Sequence, residues 1–307
     1  MIEELDKVCK VKTDIDLKNY NTLKLQSSAL GMINPKNIRE LAKALEILKK
    51  HKTKHFIIGN GSNIILPRFF NGIVIKLDKL NKYEIHEGSV YAESGVMINK
   101  LAMDLVDKGY SGLDFATGIP GTVGGCIYGN AGCYKSSISD VLIDATIYNG
   151  KDIITFTNKD FMFDYRYSVL KNHKDYIILS ANFKIEKSDV EELKSLVVER
   201  TKKRVETQDL KNPSNGSMFK NPEGFAAGKL IDDLGLKGYS INDASISTKH
   251  ANFIINKGNA TQEDILELVD FIKDKVKKEY NIDLKMEQEI IKWFNHFFFI
   301  LEDLWII

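Results

Sequence analysis

Residues Gly118–Gly132 read Gly-Ile-Pro-Gly-Thr-Val-Gly-Gly-Cys-Ile-Tyr-Gly-Asn-Ala-Gly, six glycines in fifteen positions with no charged side chain. Glycine contributes no packing and costs backbone entropy, so this density is the mark of a loop that lets another molecule lie against bare peptide. Main-chain N–H groups in such loops form concavities that hold anions. Pro120 fixes one φ and removes one donor, so the loop is shaped. A second candidate, Gly59-Asn60-Gly61-Ser62-Asn63, sits between two apolar runs about sixty residues earlier. Together the two loops are suited to hold one long diphosphate ligand. The simpler alternatives are a glycine-rich turn for the first and a hairpin turn for the second.

Two better-known phosphate motifs are excluded. Gly224-x-x-x-Gly228-Lys229 is followed by Leu230 where a P-loop needs Ser or Thr, and its spacing is short. Gly59-x-Gly61 lacks the third glycine of a dinucleotide fingerprint, and Ile64-Ile65-Leu66 follows where a helix should begin.

The chain has 307 residues, enough for two domains or three small ones. Its 43 basic and 42 acidic residues leave +1, so no global field recruits nucleic acid or an anionic membrane. Met1–Tyr20 alternates charged and apolar residues and lacks the apolar core of a signal peptide. Cys9, Cys126 and Cys133 form neither a CxxC pair nor a disulfide framework. A reducing cytoplasm fits that usage, and no metal site is expected.

The elements that must position the loops alternate between strand and helix. Pro35–His51 carries Ile38, Leu41, Leu45 and Leu48 on one face, and Val96–Lys108 has helical spacing ending at Gly109. Strands are expected at His55–Ile58, Ile64–Leu66, Gly72–Leu77, Ser89–Glu93, Val141–Tyr148, Ile153–Phe156 and from Tyr176. Ser188-x-x-Glu191 predicts a capping box opening a helix toward Arg204, and an amphipathic helix is expected from Thr261 to about Tyr280.

From about residue 20 to 291 the chain resembles the UDP-N-acetylenolpyruvoylglucosamine reductases. The matching stretches are Asn21-Thr22, Gly59–Asn63, Ser111–Gly125, Asn130–Tyr134, Ser139-Asp140, Tyr165-Arg166, Gly216–Pro222, Ala227–Ile231 and Lys249–Ile254. Their joint order and spacing carry the resemblance. It implies an α/β (α+β) fold with a two-subdomain FAD-binding region of the PCMH/vanillyl-alcohol-oxidase type, at 1–187 (about 1–80 and 81–187). A substrate-binding domain at 188–292 and an atypical apolar tail at 293–307 would follow. The short interval between Arg166 and Tyr176 resembles the branch lacking a substrate-closing tyrosine loop.

The implied activity is NADPH-dependent reduction of an enolpyruvyl UDP-sugar to UDP-N-acetylmuramate through non-covalent FAD, in peptidoglycan synthesis. The implied catalytic set is Arg166, Ser217 and Glu287. An arginine fork suits a carboxylate beside developing charge, and a positioned hydroxyl suits delivery of a proton to carbon. The implied FAD-binding set is Gly59, Asn60, Gly61, Ser62, Asn63, Gly121, Thr122, Gly124, Gly125, Asn130 and Gly132. Tyr128, Arg204, Lys220, Asn221 and His250 are the implied substrate contacts. Without the resemblance, Arg166 reads as a surface ion-pair arginine, Ser217 as a turn serine and Glu287 as an exposed glutamate. The expected partners are NADPH and the UDP-sugar, with a monomer or weak homo-oligomer.

The chain departs from the family pattern in three places. Thr207 stands for a phosphate-binding lysine and Asp209 for a proline. Glu289 stands where the family carries an arginine, reversing a charge. The tail, with Phe297–Phe299 and Leu304–Ile307, has no family counterpart and is too short to span a bilayer. The alternatives are an FAD oxidase or dehydrogenase of another substrate, and a non-catalytic flavin-binding protein.

Overall fold

The computed structural model describes residues 1–173 and 175–292, so the tail expected at 293–307 lies outside the described residues. Strands Val11–Asp16, Ser28–Ile33, Phe69–Lys76 and His55–Ile58 form the first sheet in that spatial order. The first pair is antiparallel and the other two pairings are parallel. Helix Ile38–Lys50 makes the crossover, its Leu41, Ala44 and Leu48 buried with Ile33, Ile73 and Ile75 of the sheet. Asn37 caps it by accepting from the Glu40 N–H at 2.9 Å.

The second sheet is antiparallel, in the order Ile153–Thr157, Leu142–Tyr148, Ile177–Lys184, Ser89–Glu93 and Tyr83–His86. Helix Ile98–Asp107 buries Leu101, Ala102 and Leu105 in the core beneath it, and Gly109 follows at φ 71°. A third, antiparallel sheet runs Ser214–Ser217, Phe253–Asn256, Ala244–Ile246 and Ser240–Ile241. Helix Gln262–Tyr280 packs Ile265, Leu268, Val269 and Ile272 in its core. The α/β class expected from the alternating pattern is the one observed.

Three local expectations differ. The long helix is Val190–Thr207, and its cap is Asp189 rather than Ser188: Asp189 accepts from the Glu192 N–H at 2.9 Å. Its buried Leu193 and Val197 pack on Val106, so the helix lies against the region that precedes it. The glycine run is not loop throughout: Val123–Tyr128 is helical, capped by Thr122, which accepts from the Gly125 N–H at 3.3 Å. Val11–Asp16 and Ser28–Ile33 were not anticipated; the exposed charges of the first conceal an edge strand whose alternation is weak.

The segment around Glu289 is tied back to the first sheet's region. Glu289–Ile290 runs parallel to Ile64–Ile65, just beyond the Gly59–Asn63 loop. Buried Gln262 holds this junction by donating to the Ile65 and Ile291 carbonyls at 3.0 and 3.1 Å.

Candidate active site

The two loops singled out by composition meet. Asn60 donates to the Pro120 carbonyl at 2.8 Å, and a Cβ on Gly59 would lie 2.6 Å from the Thr122 hydroxyl. Gly61 has φ 65°, and a Cβ there would lie 2.0 Å from the Tyr20 carbonyl oxygen, so only glycine fits. Asn21 and Thr22 build this contact: Asn21 accepts from the Leu25 N–H at 2.9 Å and Thr22 N–H donates to the Gly61 carbonyl at 3.1 Å.

Between the loops opens a cavity of about 1900 Å³ lined by Gly59–Asn63, Gly121, Thr122, Gly124, Gly125, Tyr128, Gly132, Arg166, Arg204 and Glu287. Its size exceeds that of a single drug-sized ligand site and suits two long ligands meeting end to end. The backbone N–H groups of Asn60, Gly61, Ser62, Asn63 and Gly121 make no hydrogen bond to any described residue. The buried Ser94 hydroxyl, on the same wall, also has no partner among the described residues. Free amides from two apposed loops and an orphaned hydroxyl are what a diphosphate-linked ligand such as FAD needs. Gly124 and Gly125 act differently from expectation, because their N–H groups are taken by the Ser94 carbonyl and the Thr122 hydroxyl. A Cβ on Gly124 would lie 3.1 Å from the Ser94 Cβ, so glycine there permits close approach of the short helix.

Arg166 occupies the tip of a turn closed by reciprocal backbone hydrogen bonds between Asp164 and Tyr167, at 3.2 and 3.0 Å. Its φ is 56°, a left-handed conformation that costs a non-glycine residue about 1–2 kcal/mol. Asn130, itself at φ 43°, steadies this turn by donating to the Asp164 carbonyl at 2.9 Å while accepting from the Ser139 N–H at 3.0 Å. The Arg166 guanidinium bonds Glu287 Oε1 at 3.0 Å through Nε, and the Gly132 and Asn130 carbonyls at 2.5 and 3.4 Å through its other nitrogens.

Glu287 lies just before the last strand, Glu289–Ile290. Its N–H donates to the Met218 carbonyl at 2.9 Å, and its carbonyl accepts from Asn63 Nδ2 at 3.2 Å. Burial holds its pKa above the usual glutamate value, against the opposing pull of Arg166, Lys220 and Lys171. Ser217 is joined to the same segment, its carbonyl accepting from Gln288 Nε2 at 2.8 Å. Asn215 locks the serine strand to the first sheet's side through Thr22 and the Ile64 carbonyl, both at 2.6 Å. Arg166, Glu287 and the Ser217 backbone are therefore brought together from three distant parts of the chain.

The decisive comparison is with whole relatives. The chain is 40% identical to the UDP-N-acetylenolpyruvoylglucosamine reductase of Petrotoga mobilis over 295 residues, covering 92% of this chain and 95% of that protein. It is 39% identical to the protein of that name from Clostridium novyi over 286 residues, covering 92% of each. It belongs to the UDP-N-acetylenolpyruvoylglucosamine reductase family. Residues 208–291 match the family's C-terminal domain, and residues 29–155 match an FAD binding domain. The crystal structure of the reductase from Thermus caldophilus superposes with a TM-score of 0.78 at 30% identity, covering 92% of this chain and 99% of that one. The fold is thus an FAD-binding region of the PCMH type followed by the reductase family's C-terminal domain.

The remaining expected contacts divide. Lys220 Nζ donates to the Arg166 carbonyl at 3.2 Å, and burial followed by the charge of Lys171 lowers its pKa. Asn221 is spent on structure, its side-chain oxygen accepting from the Ala227 N–H at 3.0 Å. Arg204 reaches the glycine run, where a Cβ on Gly118 would lie 2.3 Å from its Nη1. His250 does not line the large cavity. It shares a smaller recess with Thr207, Lys229, Lys237 and Lys249, and burial lowers its pKa. Sequence reasoning missed two cavity-lining lysines. Lys76 reaches the Gly59 carbonyl at 3.1 Å, and Lys171 pairs with Glu289 at 2.6 Å. The reversed charge at Glu289 stood out in the sequence, but nothing there tied it to Lys171.

Among the described residues no helix is long and apolar enough to cross a membrane, and no group of three metal-binding side chains occurs.

Proposed function

We propose that this chain reduces the enolpyruvyl double bond of UDP-N-acetylenolpyruvoylglucosamine to give UDP-N-acetylmuramate, in peptidoglycan synthesis, as a UDP-N-acetylmuramate dehydrogenase. The observation that carries the reading is the Arg166–Glu287 pair on the wall of a cavity shared by the two glycine loops, in a chain of this family. FAD, held non-covalently and reduced by NADPH, supplies the hydride.

This chain's residues then have three tasks. Hydride arrival places negative charge beside the substrate carboxylate, and Arg166 offers a fixed, permanently charged fork to stabilise it. Glu287 keeps that fork oriented through Nε and stays close enough to share a proton with the site. Ser217 donates the proton that the neighbouring carbon requires; a hydroxyl is a weak acid, so its contribution is positional. Arg204 and Tyr128, which line the cavity, and Lys220, which reaches the Arg166 carbonyl, are the contacts proposed for the UDP-sugar; Asn221 and His250 would act only at its periphery. The protein works in the cytoplasm, where NADPH is available, as a monomer or weak homo-oligomer.

The test is direct. Flavin-loaded protein reduced anaerobically should be reoxidised on mixing with the enolpyruvyl UDP-sugar and not with UDP-N-acetylglucosamine. Reoxidation by neither would refute the reading.

A further inference from the structure

Two ion pairs stand side by side on the cavity wall. Arg166 and Lys171 come from one turn region, and Glu287 and Glu289 from the segment that leads into the last strand. Gln288 points the opposite way, donating to the Asn215 and Ser217 carbonyls at 3.1 and 2.8 Å. The two glutamates thus face the cavity from positions whose Cα atoms lie at most about 7 Å apart. Arg166 is accounted for by the proposed reaction; Lys171 is not.

Lys171 is firmly placed. It lies in a short helical turn, Val169–Asn172, whose Leu170 is buried, and the preceding Ser168 donates to the Tyr128 carbonyl at 2.7 Å. Its ammonium sits 2.6 Å from Glu289 Oε1 and 5.5 Å from the centre of the Tyr128 ring. The partners are unequal: the Lys171 side chain is 17% exposed and the Glu289 side chain 38%. Glu289 can turn to solvent while the ammonium stays, leaving behind a position already shaped for a carboxylate oxygen. Exchanging one carboxylate for another also avoids burying an unpaired charge.

We propose that Lys171 is a specificity-determining residue that, beside Arg166, receives the carboxylate of the UDP-sugar, with Glu289 as the counter-ion it gives up. This rests on the reductase reading above. The ammonium contributes to recognition of the carboxylate-bearing nucleotide sugar over the one that lacks the carboxylate.

The experiment compares two ligands on flavin-loaded protein by titration calorimetry: UDP-N-acetylmuramate, which carries the carboxylate, and UDP-N-acetylglucosamine, which does not. Lys171→Met should weaken UDP-N-acetylmuramate about tenfold or more, in line with loss of one charge-assisted contact, and leave UDP-N-acetylglucosamine within about twofold. Lys171→Arg should restore acid binding to within about threefold. Glu289→Gln should tighten UDP-N-acetylmuramate several-fold and leave UDP-N-acetylglucosamine unchanged, and it carries the test if Lys171→Met does not fold. Equal weakening of both ligands by Lys171→Met would make Lys171 a phosphate contact or a packing residue, and an unchanged preference would also overturn the proposal. Wild-type protein that binds neither ligand would fail the reductase reading itself, and this assignment with it.

Discussion

Arg166→Lys separates the geometry of the fork from its charge. The guanidinium holds three acceptors at once: Glu287 at 3.0 Å, the Gly132 carbonyl at 2.5 Å and the Asn130 carbonyl at 3.4 Å. A lysine keeps the charge but not the planar fork, so it loses the parallel grip on carboxylates. The strained φ of 56° is shared by both side chains, so that cost cancels in the comparison. Loss of one charge-assisted hydrogen bond costs about 1.5–3 kcal/mol, which is roughly 10- to 150-fold in rate at 1.36 kcal/mol per decade. Stopped-flow absorbance of prereduced protein mixed with the enolpyruvyl substrate reads this step alone, and FAD content reports whether the site survives. The pH profile adds a sign. Burial raises the pKa of Glu287 and Arg166 opposes it. Arg166→Met should therefore move the acid limb of activity to higher pH. Reoxidation within threefold of wild type, with FAD retained, would refute the assignment of Arg166.

Three further outcomes are expected. Ser217→Ala should leave NADPH reduction of the flavin within a few-fold of wild type but slow reoxidation by the substrate about 10²–10⁴-fold; equal slowing of both would point to a distorted site instead. Gly61→Val should yield protein without FAD, since a Cβ would lie 2.0 Å from the Tyr20 carbonyl oxygen, and normal absorbance at 450 nm would contradict the cradle. Thr207→Lys adds a cation to the recess of Lys229, Lys237, Lys249 and His250 and should lower KM by no more than about 1 kcal/mol's worth, as for an exposed charge. An unchanged or higher KM would show that those lysines already suffice.

The glycine loops were legible because they are dense in a residue whose only use is backbone freedom, and Gly61 shows that use at φ 65°. Helices Ile38–Lys50 and Gln262–Tyr280 were legible because their apolar faces are periodic. The helix within the glycine run was not, because two of its six residues, Gly124 and Gly125, are glycine and helix propensity there is low; Thr122 and the contact with Ser94 impose it. The Ser188 cap failed for a different reason. Two adjacent residues can cap, and only packing of Leu193 and Val197 against Val106 sets which one does. The site pairings were invisible to composition and spacing. Arg166 and Glu287 lie 121 residues apart, and Lys171 and Glu289 118. What connected the first pair beforehand was the family resemblance, and nothing connected the second.

That separation explains why so many buried amides cluster around the last strand. A two-residue parallel ladder to Ile64–Ile65 is weak by itself, yet it must hold Glu287 within hydrogen-bonding distance of Arg166. The register is fixed by side chains instead. Gln262 reaches both strands of the ladder, Asn63 holds the Glu287 carbonyl, and Gln288 binds the serine strand from behind. Each of these amides donates to main-chain carbonyls, a bond that contributes about 0.5–1.5 kcal/mol apiece. A one-residue slip would break all of these contacts together and present Gln288 to the cavity in place of a carboxylate. The placement of the two glutamates therefore follows from hydrogen bonds made on the side of the strand away from the cavity as much as from the cations that face them.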